Sequence, residues 1–151
     1  MSAVFKKLNL KEQKEICVIN APASFEAEVA QLEGVTVQRS LDVEANIGFS
    51  LAFVTKQAEV DALASQIAHK AQGDATIWFA YPKGSSSRYQ CEFNRDTGWD
   101  ALGQAGFEGV RQVAIDEDWS ALRFRRVEYI RSMTRDKTRA ISDKGKKRVD
   151  E

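Results

Sequence analysis

Apolar positions along the chain follow two rhythms. EICVIN (15–20), FSLAFV (49–54) and ATIWFAY (75–81) are short, nearly continuous apolar runs rich in β-branched or aromatic residues. Runs of that length that are apolar on both faces predict central strands of a covered sheet. Helical spacing separates them. Phe25, Val29 and Leu32 predict a helix capped by Ser24 and stopped by Gly34. Val60, Leu63, Ala64, Ile67, Ala68 and Ala71 predict the clearest amphipathic helix, closed by Gly73. Trp99, Leu102, Ala105 and Phe107 sketch a third, with Gly106 and Gly109 at its end. Val35 to Ser40 alternates and predicts a more exposed strand. Val110 to Ile115 and Trp119 to Arg125 also alternate, on either side of Asp116-Glu117-Asp118, which predicts a hairpin at the sheet edge.

The resulting order, β-α-β-β-α-β-α-β-β, needs helices on both faces of the sheet. The predicted fold is a three-layer α/β/α domain with an open, mostly parallel sheet that ends in an antiparallel hairpin. One such domain is expected over residues 1–130, followed by a basic, flexible tail over 131–151.

Charge alters this picture locally. The 151 residues carry 22 Lys and Arg against 22 Asp and Glu, which removes the simple case for a strongly basic nucleic-acid-binding domain. Residues 1–130 hold 14 basic and 18 acidic groups, whereas 131–151 hold 8 and 4. The tail's attraction for nucleic acid or an acidic partner would be electrostatic and would weaken with salt. A solvated terminus is the plainer reading, since no aromatic follows Tyr129 to stack on bases. Cys17 and Cys91 are widely separated and read as free buried thiols. The start, MSAVFKKL, has no apolar core of a secretory signal, and no stretch approaches the ~18 apolar residues of a spanning helix. The expected location is the cytoplasm, with no membrane partner.

The segment from Phe49 to Arg125 resembles the back half of class I S-adenosylmethionine-dependent methyltransferases. FSLAFV, a long helix, GDATIWFAYPK, LGQAGFEGVRQVAI and SALRFRR carry the resemblance. More specifically, VINAP (18–22), YPKGSS (81–86), NRDTGW (94–99) and DEDWSALRFRR (116–126) resemble a bacterial family of small class I methyltransferase-like α/β domains. The resemblance implies a degenerate methyltransferase topology lacking one edge strand, with spatial order 2-1-3-4 and then the hairpin. It also implies a glycine-rich loop after the first strand, where this chain has Asn20-Ala21-Pro22-Ala23-Ser24. At the end of the second strand an acidic residue is implied. Ser40 stands there, with Asp42 two residues on.

Ligands of open α/β sheets sit beyond the carboxyl ends of the strands, where the strand order reverses. The residues arriving there are Asn20, Ala21 and Pro22, then Thr55 and Lys56, and next door Tyr81, Pro82, Lys83, Gly84 and Ser85. Lys83 to Arg88 gathers two cations, a glycine and three serines, a composition suited to an anion-binding turn. The candidate ligand-binding set is Asn20, Pro22, Thr55, Lys56, Tyr81, Lys83, Ser85 and Arg88. No catalytic residue is singled out. His69 falls off the buried stripe of its helix, and one histidine with two distant cysteines makes no zinc set. The acidic turn at 116–118 reads as a turn, and Trp78, Trp99 and Trp119 read as core. The expectation from the sequence is a non-catalytic binding or regulatory domain that recognises a small anionic ligand or a partner, without a cofactor. The alternative is a divergent methyltransferase using S-adenosylmethionine, and a second is an interaction protein working through its basic tail.

Overall fold

The computed structural model describes residues 3–41, 46–94 and 97–130. The basic segment 131–151 and Asp42 lie outside them. The chain runs α1 (Ala3–Lys7), β1 (Glu15–Ile19), a 3-10 turn (Ala23–Phe25) leading into α2 (Glu26–Val29), β2 (Thr36–Gln38) and β3 (Ile47–Phe53). It continues through α3 (Gln57–Lys70), β4 (Ala71–Pro82), α4 (Asp100–Gln104), β5 (Phe107–Ala114), β6 (Trp119–Arg126) and a closing 3-10 turn (Val127–Tyr129).

The strands form a six-stranded sheet in the order β2-β1-β3-β4-β6-β5. β2, β1, β3 and β4 are parallel, and β6 and β5 complete the sheet antiparallel. This is the α/β class I methyltransferase-like fold. The three apolar runs occupy β1, β3 and β4, because strands flanked and covered on both sides present no face to water. The edge strand β2 stays partly exposed.

Two apolar clusters sandwich the sheet. On one face α3 and α4 cover Ile19, Ala52, Ile77, Phe79 and Phe124 through Val60, Ala64, Ile67 and Leu102. On the other, α1 and the segment after β1 bring Phe5, Leu8 and Phe25 onto Val18, Leu51, Phe53 and Trp78. Trp78 is fully buried there and its Nε1 donates to the Leu8 carbonyl at 2.7 Å, which ties the amino-terminal segment to the sheet. Trp99 and Trp119 are buried as well.

The helix predicted from Ser24 is much reduced. Ser24 sits inside the 3-10 turn, Pro22 occupies the cap without a side-chain bond, and α2 has only four residues. Phe25 is drawn into the core between Phe5 and Phe53, at ring-centroid distances of 5.6 and 4.9 Å. That anchoring outweighs the weak propensity of a short segment. Helix α3 ends at Lys70, and Gly73 lies inside β4 instead of closing the helix. The β3–β4 register jumps from Ile47↔Ala71 to Phe49↔Thr76, and Gly73 at φ 54° takes the left-handed residue of that bulge. Phe107 and Gly109 belong to β5, since the chain turns at Gly106 directly into the sheet. Helix α1 carries no apolar repeat long enough to announce itself. The acidic turn closes the hairpin as expected, with Asp116 Oδ1 accepting from the amides of Asp118 and Trp119 at 2.8 and 2.9 Å.

Candidate functional site

Strand order reverses between β1 and β3, so the carboxyl ends of these two strands and of β4 open side by side. The registers Ile19↔Ala52 and Phe53↔Ala80 bring the segments after Ile19, Phe53 and Pro82 to one edge of the sheet. Asn20, Pro22, Thr55, Lys56 and Lys83 arrive there together.

Asn20 is exposed and holds φ 58°, in the left-handed region. Asparagine tolerates this conformation because its short amide side chain bonds locally, whereas most side chains lose about 1–2 kcal/mol there. The turn therefore has the backbone path of a glycine turn without a glycine. Ala21 and Pro22 follow, both half-buried, and the Pro22 carbonyl accepts from the Phe25 amide at 2.9 Å. Beyond β2, Ser40 is exposed. Arg39 grips Glu26 of α2 through two bonds of 2.9 and 2.7 Å, placing an acid and a base beside the first turn.

Thr55 and Lys56 lead into α3, and their amides are spent. Both donate to Glu59 Oε1, at 2.9 and 3.0 Å, which caps the helix from its own third residue. The Gln57 amide donates to Glu92 Oε1 at 2.9 Å, and the Glu92 amide returns to the Thr55 carbonyl at 3.0 Å. Two carboxylates thus cover the amino terminus of α3, where the dipole favours negative charge. The Gln57 side chain also holds the Gly98 carbonyl at 2.7 Å. At Gly98, φ is 93° and a Cβ would stand 2.6 Å from that of Phe93, so only glycine lets this loop close on α3. The Lys56 side chain remains exposed.

Tyr81 is not part of the crevice. It is buried against Phe93 and Trp99, and its hydroxyl accepts from Gln112 Nε2 at 2.8 Å. The Lys83 to Arg88 loop is organised by Ser86. Its Oγ donates to Asp118 Oδ1 at 2.9 Å and receives the amides of Arg88 and Tyr89 at 3.3 and 3.2 Å. The Lys83 amide donates to the Asp118 carbonyl at 2.8 Å, and the Ser86 amide to the Lys83 carbonyl at 3.0 Å. Ser85 and Arg88 are exposed and Lys83 half-buried. The amides of Lys83, Ser86, Arg88 and Tyr89 are thus taken up inside the loop and the hairpin turn. His69 is exposed, and no group of three metal-ligating side chains occurs among the described residues.

Sequence reasoning missed the Glu26–Arg39 pair, the Glu59–Glu92 cover of α3 and the Ser86–Asp118 tie. Only Glu59 had a signal, an acid three residues into a helix. Lys56 at the cap position masked it, because a serine, threonine or aspartate is the expected partner.

No family profile and no curated protein matches this sequence. Among solved structures, the fold is similar to a ribosomal protein L11 methylase from Lactobacillus delbrueckii subsp. bulgaricus. The TM-score is 0.52 at 11% identity, over 82% of this chain and 76% of that one. It is also similar to magnesium protoporphyrin IX methyltransferase from Synechocystis with bound S-adenosylmethionine. There the TM-score is 0.51 at 14% identity, over 82% and 74% of the chains. A protein of the NADB-Rossmann superfamily from Streptococcus agalactiae gives 0.50 at 12%, over 83% and 68%. The likeness is one of fold.

These neighbours overturn the expectation of a non-catalytic anion-binding domain without a cofactor, and favour the methyltransferase alternative. One departure from the methyltransferase pattern at this edge is the missing glycine. Asn20 compensates for it, because the left-handed turn that glycine would supply is present. The residues at this edge fit the cofactor. The Asn20–Ala21 turn offers close backbone approach.

Proposed function

We propose that this chain is a methyltransferase-like protein that binds S-adenosylmethionine at the carboxyl ends of β1 and β3 and transfers its methyl group. The left-handed Asn20 at the point where strand order reverses carries this reading. S-adenosylmethionine, when bound, supplies a methyl group on a positively charged sulfur, which any suitably placed nucleophile can take. The chain's own contribution is to bind and orient. The turn at Asn20 to Pro22 lets the ligand approach the backbone. The segments VINAP, YPKGSS, NRDTGW and DEDWSALRFRR place the chain, in this reading, with small bacterial domains of the same type. A cytosolic location accords with two unpaired cysteines and with the lack of a long apolar helix among the described residues. Burial pushes both thiols up from their ordinary value.

The test is thermal unfolding with and without S-adenosylmethionine or S-adenosylhomocysteine. A ligand at about 100 times its Kd adds ~2.7 kcal/mol to the folded state, a readily measured rise in Tm. Asn20→Gly is expected to keep the shift and Asn20→Val to lose it. A native protein whose Tm does not move at saturating ligand would overturn the proposal.

A further inference from the structure

The β5–β6 hairpin carries four arginines, and the structure uses only two of them internally. Arg125 forms a two-pronged bond with Asp74, at 3.0 and 2.6 Å. Arg126 lies over the Phe107 ring at 4.8 Å and donates to the carbonyls of Ala68 and Ala71. Arg111 and Arg123 have no hydrogen bond or ion pair with any described residue. They are direct cross-strand partners, so two guanidinium groups face the same way from adjacent strands. Like charges in that position destabilise a sheet. Arg123 is also half-buried, and its Nε is shielded from water without an acceptor. Burial, with Arg125 and Arg111 beside it, pushes its pKa down, and only Asp74 opposes them.

The row across the sheet runs Trp78, Arg123, Arg111, and the buried Trp78 forms the floor beside the arginines. Lys7 of α1 reaches the same hairpin, with Nζ on the Ala114 carbonyl at 2.7 Å. At the far margin, Tyr129 is the exposed large aromatic, 41% accessible. Its hydroxyl lies 3.8 Å from where a Cβ on Gly73 would be, next to Asp74. The chain then continues into the segment 131–151 with its 8 basic and 4 acidic groups. Unneutralised arginines, an exposed ring and a basic continuation match a backbone of phosphates with stackable bases.

We propose that the β5–β6 face around Arg111 and Arg123 is a docking surface for single-stranded nucleic acid, separate from the crevice at Asn20. Paired guanidinium groups suit phosphate oxygens, which accept two parallel N–H bonds from each. Binding would offset the repulsion that the free protein carries.

The test is fluorescence anisotropy of a short labelled RNA strand of mixed sequence, titrated with the full chain across a salt series. Wild type is expected to bind at low salt and weaken as salt rises. Arg111→Gln with Arg123→Gln should lose about tenfold or more in affinity. It should also flatten the logarithmic salt slope by ~1.4, at about 0.7 per single-strand phosphate contact. Arg111 is exposed, so Arg111→Gln alone tests the face without burdening the fold and should lose several-fold. Lys14→Gln, an exposed charge just ahead of β1, should bind as wild type. Three results would each overturn the proposal: no binding by wild type at low salt, wild-type binding by both arginine variants, or equal affinity for a polyglutamate peptide.

Discussion

Two loops border the same sheet edge and contrast in what they spend. The loop after β4 looks richer, with Lys83, Gly84, three serines and Arg88. Its amides at Lys83, Ser86, Arg88 and Tyr89 nevertheless close on Asp118, Lys83 and Ser86. The loop after β1 looks poor, with alanines and a proline. Yet Asn20 there takes an exposed left-handed turn at the reversal of strand order. Residue types that could bind are therefore a weaker guide than the direction in which the backbone points. A hydroxyl or an amide already satisfied inside the protein must give up a bond worth about 1 kcal/mol before it serves a ligand.

Substitutions can break this contrast. The largest effect is expected at Asn20. Asn20→Val forces a β-branched residue into the left-handed region, costing about 1–2 kcal/mol in urea unfolding and removing the S-adenosylmethionine-dependent rise in Tm. Asn20→Gly should retain both. If Asn20→Val binds as wild type, the turn is not what admits the ligand. Next comes Ser86→Ala, which strands Asp118 Oδ1 and the amides of Arg88 and Tyr89. It should lower stability by ~1–2 kcal/mol with ligand affinity unchanged. An affinity change of the size seen at Asn20 would show that the two loops act as one site. Glu59→Ala uncaps α3 at the floor between them and should cost ~1 kcal/mol, measured by the same unfolding. Smallest is Lys83→Ala, expected within ~0.5 kcal/mol of wild type and without effect on S-adenosylmethionine binding. A marked loss there would return the cationic loop to the centre of the site.

Much of the fold was legible in the chain. The runs around Val18, Leu51 and Trp78 announced three central strands, because a strand buried on both faces has no polar positions to interrupt it. Alternation on both sides of Asp116 to Asp118 announced the hairpin. Gly73 misled, since a glycine after a helical stripe usually ends the helix, and here it serves a bulge in β4. Ser24 misled for a different reason. Its helix is cut short by Phe25, whose ring has a long-range home between Phe5 and Phe53 that no local pattern encodes. The sheet edge that gathers the candidate residues followed from strand order, but which of their groups are already bonded did not. The turn after β1 has no glycine, yet asparagine reaches the same backbone region.

The sequence alone determined the layers, the parallel core and the edge at which a ligand would sit, because burial imposes periodicity that survives in residue order. It also located charge in the loop from Lys83 to Arg88 and in the segment after Ile130. Only the tertiary structure decided which groups were already satisfied. Arg125 and Arg126 found partners in Asp74 and in backbone carbonyls, while Arg111 and Arg123 were set opposite each other. Hydrogen bonds and ion pairs are made between residues distant in sequence. What remains free for function is therefore settled by folding.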